Sequence, residues 1–414
     1  MITQEQYLAL SHNIRRLHIK LELLNEEDQV VGNLEGIATA GSINFDATSA
    51  YRRTGNITMV LDSAYNLLPN ESSKLWFNKR VSVYAGLEYG EVQWFHLGKF
   101  AIGNIQVSRS SASQTLNCEL LDYMAFLDGT LGGVLPITTL IPAGTTTISE
   151  AVRAAVSYLP RTAIDIIEVD GFPADVPIDI EKPSGSSVYE LVKTLVDFYK
   201  NYEFYFDVNG FFRLHEIRKR KTDPITWDFT ATPLSITDNF TLEMKNVKNS
   251  VWIWGDTLDT GVEIAWQFRN RWYRSTLAER DALTGQEMGD ICVVDETGLG
   301  YYWDDDGTVW VELDFDVDPS LNIEKIGEKV VILDNTDILD VPQAQIRGKF
   351  LLIERSNFAQ QVSFTTVPIY SLRPNTKIYI SSPEVGVEGD YLITQMTLPL
   401  GMESSSITCK KIYY

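Results

Sequence analysis

The stretch Arg80-Val81-Ser82-Val83-Tyr84-Ala85, punctuated from Gly86 to Gly90 and answered by Trp94-Phe95-His96-Leu97-Gly98-Lys99-Phe100-Ala101-Ile102, decides the fold class. Polar and apolar residues alternate with a period of two through Arg80–Ala85. That is the mark of a half-buried strand, because successive side chains of a strand point to opposite faces. Residues 94–102 read as a further strand pair. Working towards the N-terminus, His18-Ile19-Lys20-Leu21-Glu22-Leu23 alternates in the same way. Asn25 to Gln29 form a polar turn, and Val30 and Val31 restart a strand, which predicts a hairpin. Ser42 to Asp46, Asn56 to Leu61 and Ser113 to Leu121 add further strands. Short strands between turn residues predict an antiparallel sandwich or barrel-like sheet. Ahead of them, residues 4–16 read as a short amphipathic helix or arm with Tyr7, Leu8, Leu10 and Ile14 as its apolar positions.

The middle of the chain changes period. Thr147-Ile148-Ser149-Glu150 and Ser187-Val188-Tyr189-Glu190 are capping boxes, in which a hydroxyl and a carboxylate satisfy free backbone donors of the first helical turn. The first opens a helix with Ile148, Val152, Ala155, Val156 and Leu159 on one face, ending at Pro160. The second opens one with Val188, Leu191, Val192, Leu195, Val196 and Tyr199 inward. Phe204-Tyr205-Phe206, the turn Asp207-Val208-Asn209-Gly210 and Phe211 to Leu214 predict a hairpin. From about Pro233 strands return, at 247–254, at 265–268, and as a pair around Pro399-Leu400-Gly401. Residues 270–313 look like an insertion: a helical turn at 277–283, a strand at 289–294, and a hairpin in which Tyr301-Tyr302-Trp303 and Thr308-Val309-Trp310-Val311 flank Asp304 to Gly307.

Composition bounds the function. The 414 residues are 44% hydrophobic and 22% charged, a globular balance long enough for two to four domains. The N-terminus shows no secretory pattern and no window nears 18 consecutive apolar residues, so a protein kept in solution without a membrane-spanning segment is expected. Cys118, Cys292 and Cys409 are odd in number and widely spaced, which predicts free thiols in a reducing compartment. The net charge of -21 argues against a general nucleic-acid binder, which needs a basic footprint. It suits either plain solubility or a channel that passes DNA through an acidic or neutral wall.

Catalytic and metal motifs are missing. His12, His18, His96 and His215 stand in no ligand spacing, and there is no phosphate loop, nucleophile elbow or singled-out carboxylate pair. Asp304-Asp305-Asp306-Gly307 lacks the alternation of a calcium loop and reads as a hairpin turn. Arg213 to Lys221 is the one basic cluster, most simply a solvated strand face and loop. Tyr301, Tyr302, Trp303 and Trp310 are the candidate partner or glycan contacts; stacking on sugar rings competes with a small core of their own. No catalytic, cofactor or metal residue is assigned.

Several stretches, taken in order, resemble the baseplate-hub and tail-tip proteins of bacteriophages. Val83 to Gly86 followed by Trp94 to Ile102 is similar to their "Y-x-G … W-x-x-L-G-x-F-x-I" pattern. Leu120 to Gly129, the helix of Ile148 to Leu159, Phe206 to Phe212 and Gly389-Asp390-Tyr391-Leu392-Ile393 resemble later stretches of the same family. Residues 270–313 resemble a short module of phage tail and fibre proteins, through Arg280-Asp281-Ala282-Leu283, Gly289-Asp290, Asp295 to Gly298 and Trp310.

The resemblance implies an α+β, mainly β chain. Two tube-like antiparallel β domains, at 1–135 with the N-terminal arm and at 233–269 plus 314–414, flank a small α/β domain at 136–232, with the inserted β module at 270–313. It implies a non-enzymatic virion protein without a cofactor, assembled in the host cytoplasm into the tail baseplate or tip. There a homotrimeric ring would continue the tail tube, adapt its symmetry to the tip or spike, and conduct DNA through an acidic bore without specific binding. The implied partners are further copies of the chain, a tail-tube or distal tail protein, a tip or spike protein, and fibres. Two other readings are a cell-wall-acting tail enzyme, which needs a catalytic pair in a cleft, and a receptor- or carbohydrate-binding protein acting through residues 270–313.

Overall fold

A computed structural model describes residues 10–11, 16–34, 38–60, 67–68, 71–109, 114–157, 175–198, 202–217, 220, 222–230, 235–257, 263–304, 306, 308–334, 338, 340–355, 359–401 and 403–412. Most of the arm expected over 4–16, including His12, lies outside them, as do Leu159, Tyr199, Asp305, Gly307 and Lys221.

The chain is mainly β. Its first unit is β1 (Leu17–Leu24), β2 (Val30–Asn33), β3 (Ala38–Asp46), β4 (Arg53–Val60), β5 (Arg80–Tyr89), β6 (Glu91–Arg109) and β7 (Gln114–Leu121). The expected pair at 94–102 is one 19-residue strand, β6. Its first half pairs with β5 and its second with β7, so the strand itself turns the corner between two layers. Register shifts beside Gly98 and between Ile102 and Ile105 allow the turn, since bulges add twist and bend.

The centre holds β8 (Thr139–Ile141), α1 (Ile148–Val156), β9 (Ile180–Lys182), α2 (Val188–Asp197), β10 (Tyr202–Phe206) and β11 (Phe212–Glu216). Both capping boxes form: Glu150 N donates to Thr147 Oγ1 at 3.1 Å, and Glu190 N to Ser187 Oγ at 3.1 Å. The apolar faces of α1 and α2 close a core with Tyr123, Phe206 and Phe212. The turn between β10 and β11 docks this unit on the first. Gly210 has a φ of 79°, and a Cβ there would lie 2.6 Å from the Tyr123 ring, so glycine is needed on both counts. Asp207 Oδ1 accepts from Asn209 N and Phe211 N, and Val208 O accepts from Lys99 N at 3.1 Å.

The rest comprises β12 (Trp227–Asp228), β13 (Ser235–Glu243), β14 (Ser250–Thr257), β15 (Glu263–Arg274), α3 (Leu277–Asp281), β16 (Asp290–Val294), β17 (Leu299–Asp304), β18 (Val309–Glu312), α4 (Ile323–Ile326), β19 (Val330–Asp334), α5 (Val341–Arg355), β20 (Ala359–Thr366), β21 (Lys377–Ser382), β22 (Val387–Pro399) and β23 (Ser405–Lys411). Strands from the two ends of the chain share a single sheet in the order β13-β20-β23-β22-β3-β4-β7-β6-β5-β1-β2, joined where β22 pairs with β3. One hydrophobic core runs beneath both ends, from Leu21, Ile43, Phe45 and Phe100 to Phe364, Tyr391, Met396 and Ile407.

Residues 270–313 are not a free-standing insertion. β15 runs through the expected boundary at 269–270, and β16, β17 and β18 continue a six-stranded sheet that also holds β14 and β19. The unit extends to α5, because Val251, Ile253, Trp266 and Phe268 of β14 and β15 need a cover, and Ala344 and Leu352 of α5 join their core. At Gly348 a Cβ would lie 3.3 Å from Phe268 and 3.4 Å from both Ile253 and Trp266, so the missing side chain lets helix and sheet close.

Candidate assembly interface

Eight neighbouring strands, β13-β20-β23-β22-β3-β4-β7-β6, form an antiparallel wall with one face on the core and one outside. Register places the outer face in cross-strand rows. Ser363, Thr408, Gln395 and Asp46 form one. Thr365, Ser406, Thr397, Asn44 and Thr54 form the next. Ser42, Asn56 and Glu119 follow, then Thr58, Asn117 and Gln106. The intervening rows point inward, as with Phe364, Ile407, Met396 and Phe45. Of the outward residues just named, only Asp46 and Glu119 are charged; the others are hydroxyls and amides. Alternation thus produces a mostly uncharged, hydrated surface over strands from both ends of the chain, with Lys410 two residues beyond Thr408 on the same face.

The seam at β22–β3 is reinforced on this face. Gln395 Nε2 donates to Asp46 Oδ2 at 2.9 Å and Thr397 Oγ1 to Asn44 Oδ1 at 2.8 Å. Beneath it, Arg53 Nη2 reaches Asp122 Oδ2 at 3.2 Å and Phe206 O at 2.9 Å, with both side chains buried. Burial pushes the Asp122 carboxyl up, against the pull of Arg53.

The wall ends in two edges. β13 pairs only with β20, and the second half of β6, from Ile102 to Arg109, pairs only with β7 among the described residues. Val107 on that second edge is 45% exposed. Unpaired edge strands are templates for another chain.

The candidate contacts separate onto two faces. Tyr302 packs with Trp266 and Phe268 on the α5 side. Tyr301, buried, and the partly buried Trp310 pack with Trp272 on the opposite side, and Trp303 meets Trp310 at 5.3 Å. Arg280 covers the Tyr301 ring at 4.4 Å. Of the four, Tyr301 is buried and Tyr302, Trp303 and Trp310 are partly exposed.

The three described histidines make contacts within the fold, and the three cysteines are buried. His18 bonds Glu88 at 2.8 Å, and His215 meets the Tyr205 hydroxyl at 3.1 Å. His96 Nε2 lies 2.8 Å from Ser82 Oγ, a pairing met in hydrolases, but Ser82 is 1% exposed and offers no nucleophile to a substrate. Burial, then the charges of Arg53, Arg373 and Lys99, pull His96 down to about 4, so it is neutral at pH 7. All three cysteines are buried, and burial pushes the Cys118 thiol up to about 12. Among the described residues no cluster of three potential metal ligands occurs, and no helix is long and apolar enough to cross a membrane.

No protein-family model matches the chain, and no curated protein does. Solved structures do. A tail protein from Neisseria meningitidis MC58 superposes with a TM-score of 0.57 at 10% identity, covering 95% of this chain and 98% of that one. The 43 kDa tail protein of prophage MuSo2 from Shewanella oneidensis gives 0.55 at 12% identity, covering 95% and 97%. The prophage tail protein gp18 from Listeria monocytogenes EGD-e gives 0.54 at 8% identity, covering 95% and 94%. At such identities the likeness is one of fold, and at that level it bears out the tail-protein resemblance read from the sequence.

Proposed function

We propose that this chain, which has the fold of phage tail proteins, is a structural subunit of a tail tip or baseplate hub, and that its copies join head to tail into a ring lined by the mostly uncharged face of the eight-stranded wall. The observation that carries this reading is the continuity of that wall, with one polar face and two free edges. Every pairing in it is antiparallel and the strand number is even. The free half of β6 in one copy therefore runs antiparallel to β13 of the next, and the same ladder continues around the ring. Closure removes both edges and covers Val107.

Three copies suit a bore. Eight strands from each make 24. At a strand spacing of about 4.8 Å and a tilt of about 40°, such a barrel has a backbone radius of about 24 Å. The wall is then mostly uncharged, with Asp46 and Glu119 as the carboxylates in the rows named above. Hydroxyls and amides hold water without binding phosphates, so DNA passes with no counterion release and no attachment. In this reading the ring sits in the virion between a tail-tube or distal tail protein and a tip or spike protein.

Light scattering tests the ring. The wild type is expected at about three times 46.8 kDa alone, or at that mass plus the partner's when its tail-tube partner is added. Val107→Lys places a charge on the closing edge; it is expected to keep the circular dichroism spectrum and run as a monomer. A wild type that stays at 46.8 kDa under both conditions overturns the proposal.

A further inference from the structure

Where the end of the wall, the β10–β11 hairpin and the segment between β20 and β21 meet, there is a cavity of about 340 Å³. Its lining includes four guanidiniums, Arg52, Arg53, Arg220 and Arg373, facing two carboxylates, Asp46 and Asp207. Three of the arginines have carboxylates of their own: Glu203 at 2.8 Å from Arg52, Asp122 at 3.2 Å from Arg53, and Asp223 at 3.3 Å from Arg220. Asp207 is held by Arg213 at 2.8 Å. Asp46 accepts from Thr48 and Gln395.

Arg373 differs. Among the described residues no carboxylate reaches it within ion-pair distance. Its Nη1 donates to the carbonyls of Tyr370 and Leu372, and its Nη2 to that of His96, each at 2.6 Å. These are three of the five N–H bonds that a guanidinium carries. A buried cation held only by neutral carbonyls is costly to desolvate. Burial and the neighbouring charge of Arg53 bring its pKa down to about 10, still charged at neutral pH. A second donor points the same way: Arg52 Nε is buried and meets no acceptor among the described residues. Flat apolar surfaces lie beside both, since Arg52 sits 5.0 Å from the Tyr205 ring and Arg373 sits 5.4 Å from that of Phe45.

We propose that this cavity binds a small organic oxyanion, a carboxylate or a phosphate monoester, with its charged end on Arg373 and Arg52 and its body against Phe45 and Tyr205. The volume admits a compact metabolite-sized molecule rather than a polymer. Asp46 and Asp207 in the same wall limit it to one strongly anionic group. Such a ligand bridges three parts of the fold, so its binding stiffens the end of the wall. The inference stands on the cavity alone and does not depend on ring assembly.

The test is calorimetric titration of the full chain with benzoate, a monocarboxylate with a flat apolar body, and, separately, inorganic phosphate. Saturable binding of either one at a Kd below about 1 mM is expected, weakened about tenfold in Arg373→Met and by a smaller factor in Arg52→Gln. The probe that binds identifies the oxyanion class. Should Arg373→Met fail to fold, Arg52→Gln decides alone, because that side chain is partly exposed, at 16%. The proposal is overturned if neither probe saturates the wild type by about 10 mM. It is equally overturned if the folded variants bind as the wild type does.

Discussion

The eight-stranded wall and the six-stranded sheet of residues 250–334 bury one face in the same manner and finish the other differently. The wall's second face is mostly Ser, Thr, Asn and Gln, with Asp46 and Glu119 among them, and crosses from strands near one end of the chain to strands near the other. The second face of the six-stranded sheet is a patchwork. Leu277 and Leu283 cover Trp272, Tyr301 and Trp310 at one end, while Trp252, Trp254, Val330 and Ile332 are partly or fully exposed at the other. In the proposed ring the wall's second face would meet the cargo, and strand alternation gives it mostly polar chemistry at no cost to the core.

The sharpest way to break this contrast is to remove what holds the wall from beneath. Asp122→Ala leaves Arg53 buried and unpaired, and takes away the acceptor for Met124 N. Breaking a buried pair by removing one partner costs about 3–5 kcal/mol. The urea midpoint should fall accordingly, and a loss below about 1 kcal/mol would mean the pair is solvated. In the other unit, Trp310→Ala removes a partly buried ring packed on Trp272 and Trp303. Full burial would make this about 3–5 kcal/mol; at half burial about 2 kcal/mol is expected. Hydrogen exchange should rise in β16, β17 and β18 while the wall keeps its protection.

A further effect depends on pH. His96 has a folded pKa of about 4 against an ordinary 6.5. The unfolded chain therefore binds the proton more readily. The contribution is complete above pH 6.5 and is lost as pH falls from 6.5 towards 4. Thermal melts of the wild type should decline through that window, and those of His96→Gln should decline less. An unchanged slope would place the acid sensitivity elsewhere.

These contrasts mark what the sequence made legible. Alternation at His18–Leu23, Ser42–Asp46 and Arg80–Ala85 names strands, and the capping boxes at Thr147 and Ser187 name two helices, because those signals are local. The seam is not local: Asp46 and Gln395 meet across nearly the whole chain. No periodicity announces which edge meets which. The insertion expected over 270–313 differs from the unit at 250–355 for a related reason. α5 carries Pro342 near its start and Gly348 in its middle, both poor helix signals, and Gly348 is explained only by the sheet that packs on it. Arg52, Arg53, Arg220 and Arg373 give no motif at all, since three separate segments bring them together. Among Tyr301, Tyr302, Trp303 and Trp310, the alternation of β17 already forbids one shared face.

The least disruptive substitution sharpens the comparison most. Asn56 is exposed at the middle of the mostly uncharged face, between Ser42 and Glu119. Asn56→Lys touches neither the core nor an edge, so stability should change by no more than about 0.5 kcal/mol. In a ring the same change places one cation per subunit on the bore. Each lysine that meets a phosphate adds about 0.9 to the slope of log affinity against log salt, which gives up to about 2.7 for three. The wild type should show no retention of duplex DNA at low salt. The variant should retain it and release it as salt rises. An equivalent lysine at Ile332, on the outer sheet, should leave retention unchanged. If both lysines retain DNA alike, the effect is one of net charge, and the polar face is not the surface that meets the cargo.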